Sequence, residues 1–180
     1  MRIEKMSMNE IGSPLISHVT NSDPVALKKL FRDELSDVCT AEKELTVLLP
    51  KLADSVGSEE LADSLLDDLS MSFAHLDRLD DLHFSMQEQM RIGNCDSTAE
   101  LIEEAAKIIL KGKPGVVRDA SIFSVVKRIR YHQIASYGII CSFLRTLGEI
   151  EQLSVMEVCL DEERTAYRNL LASSSTLLNG

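Results

Sequence analysis

With 180 residues, 44% of them hydrophobic and 27% charged, the chain is long enough to bury one substantial core, and no internal repeat or low-complexity block divides it. A formal net charge of -10 argues against nucleic acid as a partner, because phosphate recognition needs a cluster of Lys and Arg able to overcome that field. Aromatic content of 4% with no Trp, in a chain rich in Leu, Ala, Glu and Asp, points to an all-α protein, and no stretch approaches the roughly 18 apolar residues of a membrane span.

Residues 1–22 lack sustained periodicity and carry Gly12, Ser13 and Pro14, which predicts a flexible N-terminal arm ahead of a bundle over 23–176. Ser22 or Asp23 can cap a first helix that runs to about Asp54, with Pro24 tolerated in its first turn and Pro50 placed to bend its end. Gly57 and Ser58 form a short turn, and Ser58 can cap a second helix from Glu59 to about Met90. So short a connection makes these two helices antiparallel neighbours. After a break at Gly93 to Asp96, Ser97-Thr98-Ala99-Glu100 reads as a capping box for a shorter helix ending near Leu110. Gly112, Pro114 and Gly115 then precede a long helix from Val116 to Leu147, and Gly148 separates it from a last helix over Ile150 to Ala172. Two hairpins joined by a long central connection predict a ferritin-like four-helix bundle with an additional short helix in the crossover.

Each long helix carries an apolar stripe interrupted near its middle by polar residues. The stripes are Leu35, Val38, Glu42, Leu45, Leu49; Leu65, Asp68, Ser72, His75, Leu79; Val126, Ile129, Gln133, Ser136, Ile140; and Met156, Leu160, Glu163, Tyr167, Leu170. Carboxylates and a histidine aimed into a bundle suggest metal, since burying unpaired charge is costly. Cys39, Cys95, Cys141 and Cys159 include no Cys-x-x-Cys pair, and the N-terminus has no continuous apolar h-region, so the expectation is a reduced, cytoplasmic protein. Lys111, Lys113, Arg118, Lys127, Arg128 and Arg130 read as a solvated basic patch that balances acidic neighbours.

Several segments resemble the YciE/YciF-type ferritin-like family, also called DUF892. They are Leu35-Ser36-Asp37, Ala41-Glu42-Lys43-Glu44-Leu45-Thr46, Leu49-Pro50-Lys51-Leu52-Ala53, Leu101-Ile102-Glu103-Glu104-Ala105, Val117-Arg118-Asp119-Ala120, Ile134-Ala135-Ser136-Tyr137-Gly138 and Leu160-Asp161-Glu162-Glu163. They occur in family order over about residues 24 to 172. The resemblance implies a di-metal carboxylate fold, helical dimers and an association with bacterial stress. It also exposes departures. The family's His, Glu-Glu-Thr and Gln or His on the second helix are here Asp68, Ser70-Met71-Ser72 and His75. Its Glu-His-Tyr-Glu on the third long helix has become Arg130-Tyr131-His132-Gln133, and the last helix keeps Glu162 and Glu163 but has Tyr167 four positions later.

A dinuclear site in a bundle needs about four carboxylates and two histidines. The candidates here are Glu42, His75 and Glu163 as vestigial metal ligands, with Glu162 beside them and His132 assisting, set in a polar core layer of Asp68, Arg130, His132, Gln133 and Tyr167. Arg130 stays protonated at ordinary pH and can replace missing metal charge by pairing with Glu42 or Glu163, while Tyr167 is spaced to hydrogen-bond Glu163. No phosphate loop or nucleophile elbow is present. The expectation is a noncatalytic, ferritin-like protein without a cofactor, acting as a stress-associated or protein-interaction scaffold, homodimeric and suited to a partner with a basic surface. The alternative is an iron- or manganese-binding oxidoreductase or storage protein that retains the partial site.

Overall fold

The computed structural model describes residues 24–86 and 96–179, so the predicted arm over 1–22 and the break at Gly93 lie outside the described residues. Its elements are α1 (Pro24–Ala53), α2 (Glu59–Ser85), α3 (Asp96–Lys111), α4 (Val116–Leu147) and α5 (Ile150–Asn179). The chain is all-α. None of the described helices is long and apolar enough to cross a membrane.

Helices α1 and α2 form one hairpin, α4 and α5 the other; α1 also packs on α4 and α2 on α5, while α3 lies over the α1 and α4 pair. Two of the helix ends depart from expectation. Helix α2 stops at Ser85, whose Oγ donates to the Leu82 carbonyl at 2.9 Å, and Met86 closes the turn. Helix α5 continues to Asn179, because Ser and Thr are middling helix residues and nothing before Gly180 forbids the turn. The Ser58 cap forms as the sequence indicates, with its Oγ accepting from Leu61 N at 3.2 Å. Gly148 supplies the left-handed turn at φ 80 that ends α4.

Every stripe residue except Tyr167 is buried. The apolar members separate into two clusters. One gathers Phe31, Leu35, Leu79, Tyr137, Ile140, Leu144, Met156 and Cys159 at one end of the bundle. The other gathers Leu45, Leu52, Leu65, Ile122, Val126, Ile129 and Leu170 at the opposite end, with Ala105 from α3. The polar residues of the stripes lie between them in sequence on every helix, so the core is interrupted by one charged layer.

The basic patch forms only in part: Lys111, Lys113 and Arg128 are exposed. Arg130 is buried, Arg128 donates to Glu104 on α3, and half-buried Arg118 donates through Nη2 to the Ser55 carbonyl. Next to Arg118, buried Asp119 accepts from Gly57 N at 3.0 and 3.1 Å and from Ser58 N at 3.0 Å. The start of α4 thereby fastens the α1–α2 turn. Removing the carboxylate strands two backbone donors, so Asp119→Ala is expected to lower stability by about 1–3 kcal/mol. Urea denaturation checks this, and an unchanged midpoint refutes it.

Candidate functional site in the polar layer

Glu42 is completely buried at mid-α1. Its Oε1 accepts from Tyr137 Oη at 2.8 Å and from Gln133 Nε2 at 2.9 Å, and lies 3.1 Å from His75 Nδ1. Its Oε2 and the Oε1 of Gln133 have no hydrogen-bond partner among the described residues. Three polar contacts thus converge on one oxygen of this carboxylate.

His75 is equally buried and meets a carboxylate on each ring nitrogen. Nδ1 faces Glu42 and also Glu163 Oε1 at 3.6 Å, and Nε2 faces Glu162 Oε2 at 3.0 Å. Burial favours the neutral ring, yet the hydrogen bond and charge of Glu42, with help from Glu163 and Glu162, outweigh it and raise the pKa above 6.5. Both ring nitrogens thus face carboxylate oxygens.

Arg130 is the second cation of the interior. Its Nη2 contacts Asp68 and its Nη1 donates to Glu163 Oε2 at 2.7 Å, with all three side chains almost wholly buried. Burial raises the pKa of Glu163; the Arg130 charge opposes that rise and the Glu42 charge adds to it. At the rim, half-exposed Arg78 clasps Glu162 with both Nη atoms, Nη2 to Oε1 at 3.1 Å, and points Nη1 at Cys159 Sγ, 3.6 Å away. The carboxylates of Glu42, Asp68, Glu162 and Glu163 therefore face His75, Arg78 and Arg130. Negative charge exceeds positive by one, and that surplus falls where burial has increased the proton affinity of Glu163.

The structure brings together Glu42, Asp68, His75, Arg130, Gln133, Glu162 and Glu163, but not the other two candidates. Tyr167 is half-buried and its ring meets Tyr131 edge-on at a centroid distance of 5.5 Å; no hydrogen bond joins it to Glu163, whose oxygens face Arg130 and His75. His132 turns toward α3, with Nδ1 3.4 Å from Thr98 Oγ1. A residue adjacent to Gln133 points about 100° away around the helix and cannot share its layer. Tyr137, Arg78 and Cys159 were missed. Tyr137 follows Gln133 by four positions, Arg78 follows His75 by three, and Cys159 precedes Glu162 by three, all spacings that share a helix face.

These residues do not fit a dinuclear centre. Glu42, His75 and Glu163 do offer ligand atoms within 4.8 Å of one another. The Arg130 guanidinium, however, already sits between Asp68 and Glu163, and Ser72, Gln133 and Ser136 occupy buried positions on the same stripes without charge. Cys39, Cys141 and Cys159 are free buried thiols; burial pushes Cys39 up to about 12 and the other two to about 11.

Because the folded state holds the His75 proton more tightly, its stabilisation is complete below its ordinary value of 6.5 and is lost as pH rises through the raised folded value. Urea midpoints of wild type and His75→Gln are expected to differ most below pH ~6.5 and to converge as pH rises through the raised folded value. A gap that widens with pH contradicts this.

The comparisons with known proteins agree with this architecture. Protein YciF of Escherichia coli (strain K12) is 29% identical over 139 residues, covering 77% of this chain and 84% of YciF. The crystal structure of the E. coli stress protein YciF matches with a TM-score of 0.81 at 27% identity, over 85% of this chain and 97% of that one. YcfI from Rhodopseudomonas palustris shares the fold, with a TM-score of 0.76 at 24% identity over 86% of this chain and 96% of its own. A model of the domain of unknown function DUF892 matches residues 26–179, and the chain belongs to that family.

Proposed function

We propose that the protein is a noncatalytic ferritin-like scaffold in which buried ion pairs stand in place of a di-metal centre, and that it serves a stress-associated, protein-binding role. The observation that carries this reading is Arg130, held between Asp68 and Glu163 in the interior. A permanent cation at that point compensates the charge that metal would otherwise compensate. The similar E. coli YciF is a stress protein, which supports the cellular setting. A net charge of -10 on a bundle with long exposed helix faces favours a partner with a basic surface, and we assign the working form as a homodimer. The competing oxidoreductase or storage reading draws on the unpartnered Glu42 Oε2, which leaves one carboxylate oxygen open to an iron or manganese ion.

Arg130→Met leaves Asp68 and Glu163 buried without their cation and is expected to destabilise by about 3–5 kcal/mol in chemical denaturation; an unchanged stability refutes the ion-pair layer. Protein purified without chelator and challenged with iron and manganese should hold neither by inductively coupled plasma mass spectrometry. Near-stoichiometric iron or manganese that disappears in Glu163→Gln would establish the competing reading. Light scattering at micromolar concentration should give twice the chain mass, and a monomeric mass removes the homodimer from the proposal.

A further inference from the structure

On the side of His75 facing away from Glu42, three different ligand types converge. His75 Nε2, Cys159 Sγ and Glu162 Oε2 lie within 4.8 Å of one another, and the nitrogen and oxygen are already 3.0 Å apart. In a tetrahedral zinc site, bonds of about 2.0–2.3 Å bring ligand atoms to within about 3.3–3.8 Å of each other, so the sulfur needs to approach by only about an ångström. The opposite ring nitrogen, Nδ1, faces Glu42 Oε1 at 3.1 Å, and that oxygen is itself fixed by Gln133 and Tyr137. This carboxylate-to-histidine contact orients the ring and raises its basicity, as in histidines that bind metal through the other nitrogen. The point of convergence already holds a cation, because Arg78 Nη1 contacts both Cys159 Sγ and Glu162 Oε2.

We propose that His75 Nε2, Cys159 Sγ and Glu162 Oε2 form a site for a borderline-soft divalent cation of the zinc and cobalt class, with the Arg78 guanidinium as its removable placeholder. The mixed nitrogen, sulfur and oxygen donors select such a cation over the oxygen-preferring manganese or magnesium. Arg78 can leave. Its side chain is 30% exposed and that of Glu162 37%. Glu162 borders one surface cleft between α2 and α5, of about 570 Å³, with Met71, Ala74 and Val158, and Arg78 borders a second, of about 230 Å³, with Leu82, Val155 and Met156. Rotation of the guanidinium into the second cleft opens a route from the first to the buried nitrogen and sulfur, and water from that cleft completes the coordination.

Binding forms metal bonds to Nε2, Sγ and Oε2 and sends to solvent the Sγ proton of Cys159 and the Nε2 proton of His75. A dication thus replaces two protons, and the Arg78 charge moves out with its guanidinium into the second cleft. Among the described residues Cys39 contacts His83 without a carboxylate to complete a set, and Cys141 belongs to no such cluster. The site goes beyond the scaffold reading, which concerns the interior on the Nδ1 side of the same ring.

Cobalt(II) titration of the full chain, followed by the near-ultraviolet sulfur-to-cobalt charge-transfer absorption, tests the assignment. One equivalent should produce the band, and zinc should bleach it. Arg78→Ala should tighten binding by about three- to tenfold, because the cation no longer displaces a bidentate ion pair. Cys159→Ser should abolish the band and Cys39→Ser should keep it, with circular dichroism verifying that each variant is folded. Absence of the band in both wild type and Arg78→Ala overturns the site, as does a band that survives Cys159→Ser. Cobalt held without the band and lost in Glu163→Gln would overturn this site and the scaffold reading together, whereas loss of the band alone leaves the scaffold reading intact.

Discussion

The fold depends on one constraint: buried carboxylates on α1, α2 and α5 must be neutralised without leaving the core. Arg130 meets that requirement for Asp68 and Glu163, and protonated His75 meets it for Glu42. Isolated carboxylates at these depths would shift to the neutral form or force the helices apart. The layer therefore resists any arrangement in which a single helix is missing, because every cation draws its partners from other helices. Its net value over an apolar core is small, since desolvation offsets most of the attraction, but breaking one contact leaves an uncompensated charge.

The same layer fixes register. Two apolar clusters flank it, one beyond Leu45 and Ile129 and the other beyond Val38 and Ile140. Sliding any helix by one turn would push Glu42, His75, Arg130 or Glu163 into a cluster offering no counter-charge. An apolar interior of uniform Leu and Ile would tolerate such a slip far better. The ion pairs thus specify one alignment of the hairpins, a property that suits a scaffold whose surface must be presented in a constant geometry.

Much of this was legible because helical periodicity acts on polar and apolar residues alike. Glu42, Asp68, His75, Gln133 and Glu163 sit at positions where a three- and four-residue spacing demands burial, and they are buried. That Arg130 pairs with Glu42 or Glu163 followed from charge and permanence of protonation, and the fold selects Glu163. What periodicity could not resolve was the partner beyond one helix: Asp68 as the other ligand of Arg130, Arg78 clasping Glu162, and Cys159 beside them depend on how α2 and α5 face each other. Tyr137 and Tyr167 show the limit clearly, because both occupy stripe spacing. The ring of Tyr137 lies inside with its hydroxyl on Glu42, while the ring of Tyr167 finds an edge contact with Tyr131 near the surface. Helix ends were misplaced where no Gly or Pro marks them, at Ser85 and beyond Ala172.

The clasp between Asp119 and the α1–α2 turn bears on the order of events during synthesis. Gly57 and Ser58 leave the ribosome some sixty residues ahead of the carboxylate that accepts their backbone N–H groups, with separations of 62 and 61. Arg118 likewise reaches Ser55 across 63 residues. The first hairpin emerges with only the local bonds of its turn, such as the Ser58 cap on Leu61 N, and with Glu42 facing neither Gln133 nor Tyr137. Closing so long a loop is entropically slow relative to forming the helices themselves. The nascent N-terminal half therefore lacks these long-range contacts until α4 has been synthesised.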